Sequence, residues 1–376
     1  MTTTSMNADD GSLFNALNGI PVVDFPTNLQ AAVKAGRRMS SILGEVVSLR
    51  RGPGKLTPNE YFYYRLWEPH LTREDKRRFV GKQAQQPMHI ACNNTGWYAT
   101  AADKLLFHTL LTGAGLPTPA LLAVTGPERR LPHGEFLRNA TAIASFLRHP
   151  TNYPLFAKPI DGKYSIAVIS ADAYDGDADR VLVQGGEAVS PEALAATMAG
   201  REAGYVVQRR MTADRSLEAL FGPRLWSVRV LVLLTAEGPV IHKALAKIAT
   251  GQNPADNFWR KGNMIGAIDL QTGQIVRVVQ GTGAEMVVDG SHEDTALPIV
   301  GTPIPAWDRL IGQVKDASRL LPAIRTQSWD IALTDEGPVP LEVNFGGDLN
   351  LTQLASGAGV LDQVYREHLQ TCGYRF

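Results

Sequence analysis

The chain has 376 residues, with 37 Lys and Arg against 37 Asp and Glu, so its formal net charge is zero. That length can bury a large core over two or three domains. The even charge balance excludes a broad nucleic-acid footprint or a polybasic membrane surface, though it leaves room for a local basic pocket.

In chain order, residues 1–10 are polar and lack a signal-peptide apolar core, so they read as a frayed, cytoplasmic start. Cys92 and Cys372 are the only cysteines and stand far apart. They form no pairing framework, which also points to a reducing compartment. No apolar run approaches membrane-spanning length. Between residues 28 and 79, Ala31, Val33, Met39, Ile42, Val46 and Val47 recur at roughly helical spacing. Gly52-Pro53-Gly54 breaks that pattern. Thr57-Pro58-Asn59-Glu60 opens a new helix, with a capping box and a proline at the first helical position. The aromatic residues that follow, Tyr61, Phe62, Tyr64 and Trp67, suit packing better than cofactor binding.

Residues 103–111 predict an amphipathic helix, and glycine and proline stops at 113–119 end it. Strands are predicted at 121–124, 154–159, 166–169 and 205–208, with helices at 135–147 and 191–198. Such alternation implies an α/β or α+β lobe. From Leu225 strands dominate, at 226–235, 240–249, 266–270 and 275–279. Helices return at 307–320 and 361–369, so the last half predicts an antiparallel sheet with helices packed on it.

Residues 329–344 read as strand, tight turn, strand. Ile331, Leu333, Val339, Leu341 and Val343 are apolar, and Asp335-Glu336-Gly337-Pro338 is turn chemistry. Asp330 and Glu342 then sit on paired strands near the open end of the hairpin. The period of two puts Glu342 and Asn344 on one face. Two carboxylates and an amide oxygen form a hard oxygen cluster suited to Mg²⁺. Their apolar neighbours Leu341, Val343 and Phe345 are a poor setting for idle charge.

Lys158 and Arg229 lie in otherwise apolar strands. Each needs an anion there, and a structural salt bridge or a phosphate satisfies that need equally. The segment after Lys158, 161–165, is a loop whose amides and Ser165 hydroxyl can cover phosphates. Lys243, Leu245 and Lys247 share one strand face, and a polar loop follows at 251–263. The chain has no His-Glu-x-x-His and no Cys-x-x-Cys, which argues against zinc. It also lacks a Walker phosphate loop, a strand-borne Gly-x-Gly-x-x-Gly and the kinase His-Arg-Asp set.

Taken in order, these pieces resemble the ATP-grasp superfamily, in particular its sugar-transfer-associated branch. The matching residues are Asp103-Lys104 with the stop at 115–119, Phe156-Ala157-Lys158-Pro159 and its loop, Tyr205-Val206-Val207-Gln208, Ser227-Val228-Arg229-Val230, Ala255-Asp256-Asn257, and Asp330 with Glu342-Val343-Asn344. The resemblance runs from about residue 55 to the C-terminus.

It implies an α+β ATP-grasp fold: two α/β lobes clamping ATP, preceded by an N-terminal helical region. The implied divisions are 1–97 for that region, 98–207 for the N-terminal and central nucleotide-loop subdomains, and 208–376 for the C-terminal subdomain with the metal site. Lys104 and Lys158 would contact ATP phosphates. The loop bearing Lys163 and Ser165 would close over them, and the backbone from Tyr205 through Val206 and Val207 to Gln208 would be the hinge that reads adenine. Asn257 would join the nucleotide contacts. Asp330, Glu342 and Asn344 would ligate Mg²⁺, while Arg229 and Lys247 neutralise the reacting phosphate. Gln208 stands where the hinge usually carries an acid, and Lys247 where an arginine is usual.

Such proteins commonly join a small-molecule carboxylate to an amine through an acyl phosphate, so the expected activity is a cytoplasmic, ADP-forming ligase in small-molecule biosynthesis. A phosphotransferase without amide formation, and a non-catalytic nucleotide-binding module, remain alternatives. The expected partners are the small-molecule acid and amine, without nucleic acid or membrane; a homo-oligomer is left open.

Overall fold

The computed structural model describes residues 21–128, 131, 133–162, 167–251, 253, 256–258 and 260–376. The polar start and the loop positions Lys163 and Ser165 lie outside the described residues.

Among the described residues two seven-stranded sheets carry the fold. The first is built from β1 (Leu121–Thr125), β2 (Glu135–Leu137), β3 (Leu155–Pro159), β4 (Ile169–Asp175), β5 (Arg180–Val183), β6 (Ala188–Val189) and β7 (Tyr205–Arg209). Their order is β2-β1-β7-β3-β4-β5-β6. β1 and β2 run parallel, and the other pairs antiparallel. Helices Ala140–Leu147 and Pro191–Ala199 cover one face, where Ala123, Leu155, Ala157 and Val207 turn inward. Strand alternation sends Lys158 and Val206, which are register partners, to the opposite face.

The helix expected at 135–147 begins only at Ala140. The Asn139 side chain accepts from the Ala142 amide and caps it there. The three residues from Glu135 to Leu137 pair with β1 instead.

The second sheet contains β8 (Ser227–Thr235), β9 (Gly238–Ile248), β10 (Met264–Ile268), β11 (Ile275–Gln280), β12 (Val287–Val288), β13 (Thr326–Thr334) and β14 (Gly337–Phe345). It is antiparallel throughout, in the order β12-β11-β10-β9-β8-β13-β14. Val228, Val230, Val232 and Ile331 pack on one face against Leu310 and Val314 of helix Trp307–Ser318.

The other face is shared. Over most of its width it is covered by the N-terminal helices, whose Tyr61, Phe62, Tyr64 and Trp67 meet Leu245, Ile265 and Val279. These rings are packing residues. Phe62 is 1% exposed, and burying such a side chain contributes roughly 1.5–3 kcal/mol. The capping box at Thr57 and Glu60 is formed. Buried amides fasten the same region: Asn350 Oδ1 accepts from Tyr64 at 2.7 Å and from Gln85 at 2.9 Å.

After β7 the chain crosses between the sheets. Arg210 donates its amide to Pro154 on the first sheet, and Asp214 donates to Leu333 on the second. Ala213 bridges Thr334 on the way. Among the described residues no helix is long and apolar enough to cross a membrane.

Candidate functional site

The hairpin of β13 and β14 forms in the expected register, with Asp330 opposite Glu342 and Ser328 opposite Asn344. A bulge shifts the ladder immediately afterwards, because Ile331 pairs with Pro340 and leaves Leu341 without an opposite residue. On the other side of β13, Asp330 faces Arg229 of β8, and Ser227 of β8 faces Lys247 of β9. Four strands therefore deliver Glu342, Asp330, Arg229 and Lys247 as a row across one end of one sheet face.

Asp330 is the centre of that row. Arg229 grips it bidentately, Nε to Oδ1 and Nη2 to Oδ2, both at 2.7 Å. Lys247 Nζ reaches Oδ2 at 3.2 Å and also Asp256 Oδ1 at 3.2 Å. Ser227 Oγ donates to the other oxygen of Asp256. The Asp330 side chain is 3% exposed. Burial alone would raise its pKa, but Arg229 and then Lys247 outweigh that and hold the carboxyl far below the usual carboxylate range. Burial likewise works against the Lys247 charge, and Asp256 and Asp330 more than restore it. A carboxylate offers about four lone-pair positions. Among the described residues three are occupied on Asp330, which leaves one.

Glu342 differs. Among the described residues it has no hydrogen bond or ion pair. Asn344, two residues on and on the same face, has a buried Nδ2 with no partner among the described residues. Assignment of amide oxygen and nitrogen follows the network, so this side chain can present its oxygen to a cation. One free carboxylate, one unsatisfied amide and one spare position on Asp330 make a hard-oxygen set that fits Mg²⁺.

The first sheet supplies the opposing wall. Lys158 of β3 lies across the interlobe gap, with Nζ 3.5 Å from the carbonyl of Leu341, the bulged residue. Partial burial pushes its pKa down to about 8, opposed by the negative charge of Glu342 and, beyond the repulsion of Lys104, of Asp330. Lys104 opens helix Lys104–Gly113 and donates its ammonium to the carbonyl of Gly162. Its amide donates to Ile160 at 3.2 Å. Both lysines thus stand at the base of the segment containing Lys163 and Ser165.

Of the expected adenine-reading residues, Val206 and Gln208 turn to the Lys158 face, whereas Val207 points into the core beneath the helices. β7 is laddered on both sides, to β1 and to β3. The backbone of Val206 and Val207 is therefore committed to the sheet. Asn257 gives its carbonyl to Asn263 Nδ2 at 2.8 Å and helps fold the loop on itself. Its neighbour Asp256 is the loop residue that meets Lys247. Asp256 and Ser227 escaped notice as site residues. Ser227 was discoverable, since it shares a strand face with Arg229 by the period of two. Asp256 sits in a loop, where periodicity carries no signal.

Residues 85–368 match the family described as sugar-transfer associated ATP-grasp. No curated protein matches the chain in sequence. Among solved structures, similarity is found to the biotin carboxylase domain of a 2-oxoglutarate carboxylase from Hydrogenobacter thermophilus, at 10% identity and a TM-score of 0.40, covering 76% of this chain and 48% of that one. An L-amino acid ligase from Bacillus licheniformis gives 12% identity and a TM-score of 0.38, covering 73% and 49%. A D-alanine-D-alanine ligase from Coxiella burnetii gives 14% identity and a TM-score of 0.38, covering 75% and 60%. The chain thus spans about half the length of the first two.

Proposed function

Since the chain belongs to the sugar-transfer-associated ATP-grasp family, we propose that it is an ATP-dependent ligase joining a small-molecule carboxylate to an amine through an acyl phosphate. The reading rests on one observation: half-buried Lys158 reaches the Leu341 carbonyl beside Glu342, and among the described residues the Glu342 carboxylate and the Asn344 amide nitrogen have no hydrogen-bond partner.

Lys158 and Lys104 hold the triphosphate, and the segment with Lys163 and Ser165 covers it. Adenine lies against Val206 and Gln208, with Val207 supporting the strand from behind. Asn257 keeps the neighbouring loop in shape for Asp256. Glu342 and Asn344 would hold Mg²⁺, with the remaining position on Asp330 as a further ligand. Bound there, Mg²⁺ would supply positive charge against the phosphates. Arg229 and Lys247, fixed by Asp330, present their cationic edge to the transferred phosphoryl group.

A carboxylate is a poor acylating agent until it carries phosphate. Its oxygen attacks the γ-phosphorus and ADP leaves. The amine then attacks the acyl carbon, giving amide and inorganic phosphate. Water must be kept out between the two steps, and a covering loop serves that need. Dependence on ATP puts the reaction in the cytoplasm.

The test is purified protein with ATP, Mg²⁺ and pooled carboxylates and amines, read by mass spectrometry. The expected product has the mass of acid plus amine less water, appearing together with ADP. A stable phosphorylated product without any amide would instead establish direct phosphotransfer.

A further inference from the structure

Outside the nucleotide site, the two cysteines of the chain meet. Cys92 ends helix Lys82–Cys92, and Cys372 caps helix Gln363–Thr371. His368 lies one turn before Cys372, so the two share a helix face. Cys92 Sγ, Cys372 Sγ and a ring nitrogen of His368 all lie within 4.8 Å of one another. The Cys372 sulfur is 3.7 Å from His368 Nε2. Cys92 is 4% and His368 3% exposed.

We infer that Cys92, His368 and Cys372 form a three-ligand site for a thiophilic divalent ion, zinc by preference, fastening the C-terminal helix to the N-terminal helical region. The distances suit the ion. Tetrahedral zinc, with bonds of about 2.3 Å to sulfur and about 2.0 Å to nitrogen, separates its ligand atoms by roughly 3.5–3.8 Å. The charge suits burial, because two thiolates and one neutral imidazole balance a divalent ion.

The donors are also held in place by bonds that do not use them. The Cys92 carbonyl accepts from the Arg325 amide at 3.2 Å. Asn93 grips the backbone of Thr326 with both ends of its amide, at 2.9 and 3.2 Å. The Cys372 amide donates to the His368 carbonyl at 3.0 Å. Thr326 Oγ1, 3.0 Å from His368 Nε2, is a hydroxyl able to turn away. Binding releases the two thiol protons to solvent and transfers no electrons. The fourth corner is left to water. Among the described residues His368 Nδ1 has no hydrogen-bond partner. The site therefore lacks the carboxylate or carbonyl that usually stands behind a zinc-bound imidazole and adds 10–100-fold in affinity.

The reduced, chelator-stripped full-length protein is titrated with Co²⁺. The expected result is a thiolate-to-cobalt charge-transfer band with tetrahedral d–d bands, saturating at equimolar ion and displaced by Zn²⁺. Cys372→Ser, at a half-exposed position, removes most of the charge-transfer intensity. Glu342→Gln leaves it intact, which separates this site from the nucleotide metal and makes the result independent of the ligase reading. In the unaltered protein, Zn²⁺ slows alkylation of both cysteines by iodoacetamide. Absence of the band, its persistence in the Cys92→Ser/Cys372→Ser double variant, or equal alkylation rates with and without Zn²⁺ would each overturn the proposal. So would a metal-free protein whose mass shows a Cys92–Cys372 disulfide as the stable form.

Discussion

On the second sheet the cations of the site have acids against them: Arg229 is locked on Asp330, and Lys247 is shared between Asp330 and Asp256. On the first sheet Lys158 meets the Leu341 carbonyl, and no carboxylate lies within ion-pair distance of it among the described residues. The two walls thus hold similar charges in opposite ways. The Asp330 cluster is internally compensated, two cations against two carboxylates. The charge of Lys158 is offset only at longer range, by Glu342 and Asp330, and under the proposed function that leaves it able to take an anion.

Removing the compensating acid tests that contrast hardest. Asp330→Asn leaves Arg229 without its carboxylate partner and Lys247 with Asp256 alone. Loss of one member of a buried ion pair costs about 3–5 kcal/mol. Urea unfolding should show that loss, and ADP formation should disappear with it. A variant of unchanged stability would mean that Asp330 is not the keystone. Glu342→Gln separates the two roles, because Glu342 holds nothing in the fold. Its unfolding midpoint should stay near that of the unaltered protein, while ADP formation falls by about 10²–10³-fold. Turnover at the normal rate would remove Glu342 from the metal site.

The sequence made one wall far more legible than the other. Asp330, Glu342, Asn344 and Arg229 lie on strands, where a period of two and turn residues set register. The structure keeps that register. The bulge that turns Leu341 toward Lys158 is a one-residue irregularity without a sequence signature of its own. Asp256 reaches Lys247 from a loop, and Lys158 reaches Leu341 across the gap between lobes, so neither contact leaves a local pattern. The same holds for Cys92, His368 and Cys372. The absence of paired metal motifs argued against zinc, yet packing of the first helices on the last one brings soft donors together from opposite ends of the chain.

The smallest expected effect concerns Lys158 and comes with its own pH signature. In the unliganded protein the ammonium loses its proton at about 8. Against a triphosphate it keeps the proton, since the anion favours the charged form. Binding above that pH must therefore take up a proton, and ATP affinity should fall about tenfold per pH unit above 8 while staying flat below it. Unfolding does not mimic this loss. The folded-state pKa is depressed, so between about 8 and the ordinary lysine value of 10.5 the unfolded chain binds more protons. This lysine thus contributes a rise in stability with pH over that interval. Lys158→Ala should weaken ATP at neutral pH by roughly 10–100-fold, the weight of a hydrogen bond to a charged group. It should also abolish the fall above pH 8. Titration calorimetry from pH 7 to pH 9 on both proteins, in buffers of different ionisation enthalpy, reads affinity and proton uptake together. If the slope persists in Lys158→Ala, another group is responsible, and the contrast between the two walls loses its functional meaning.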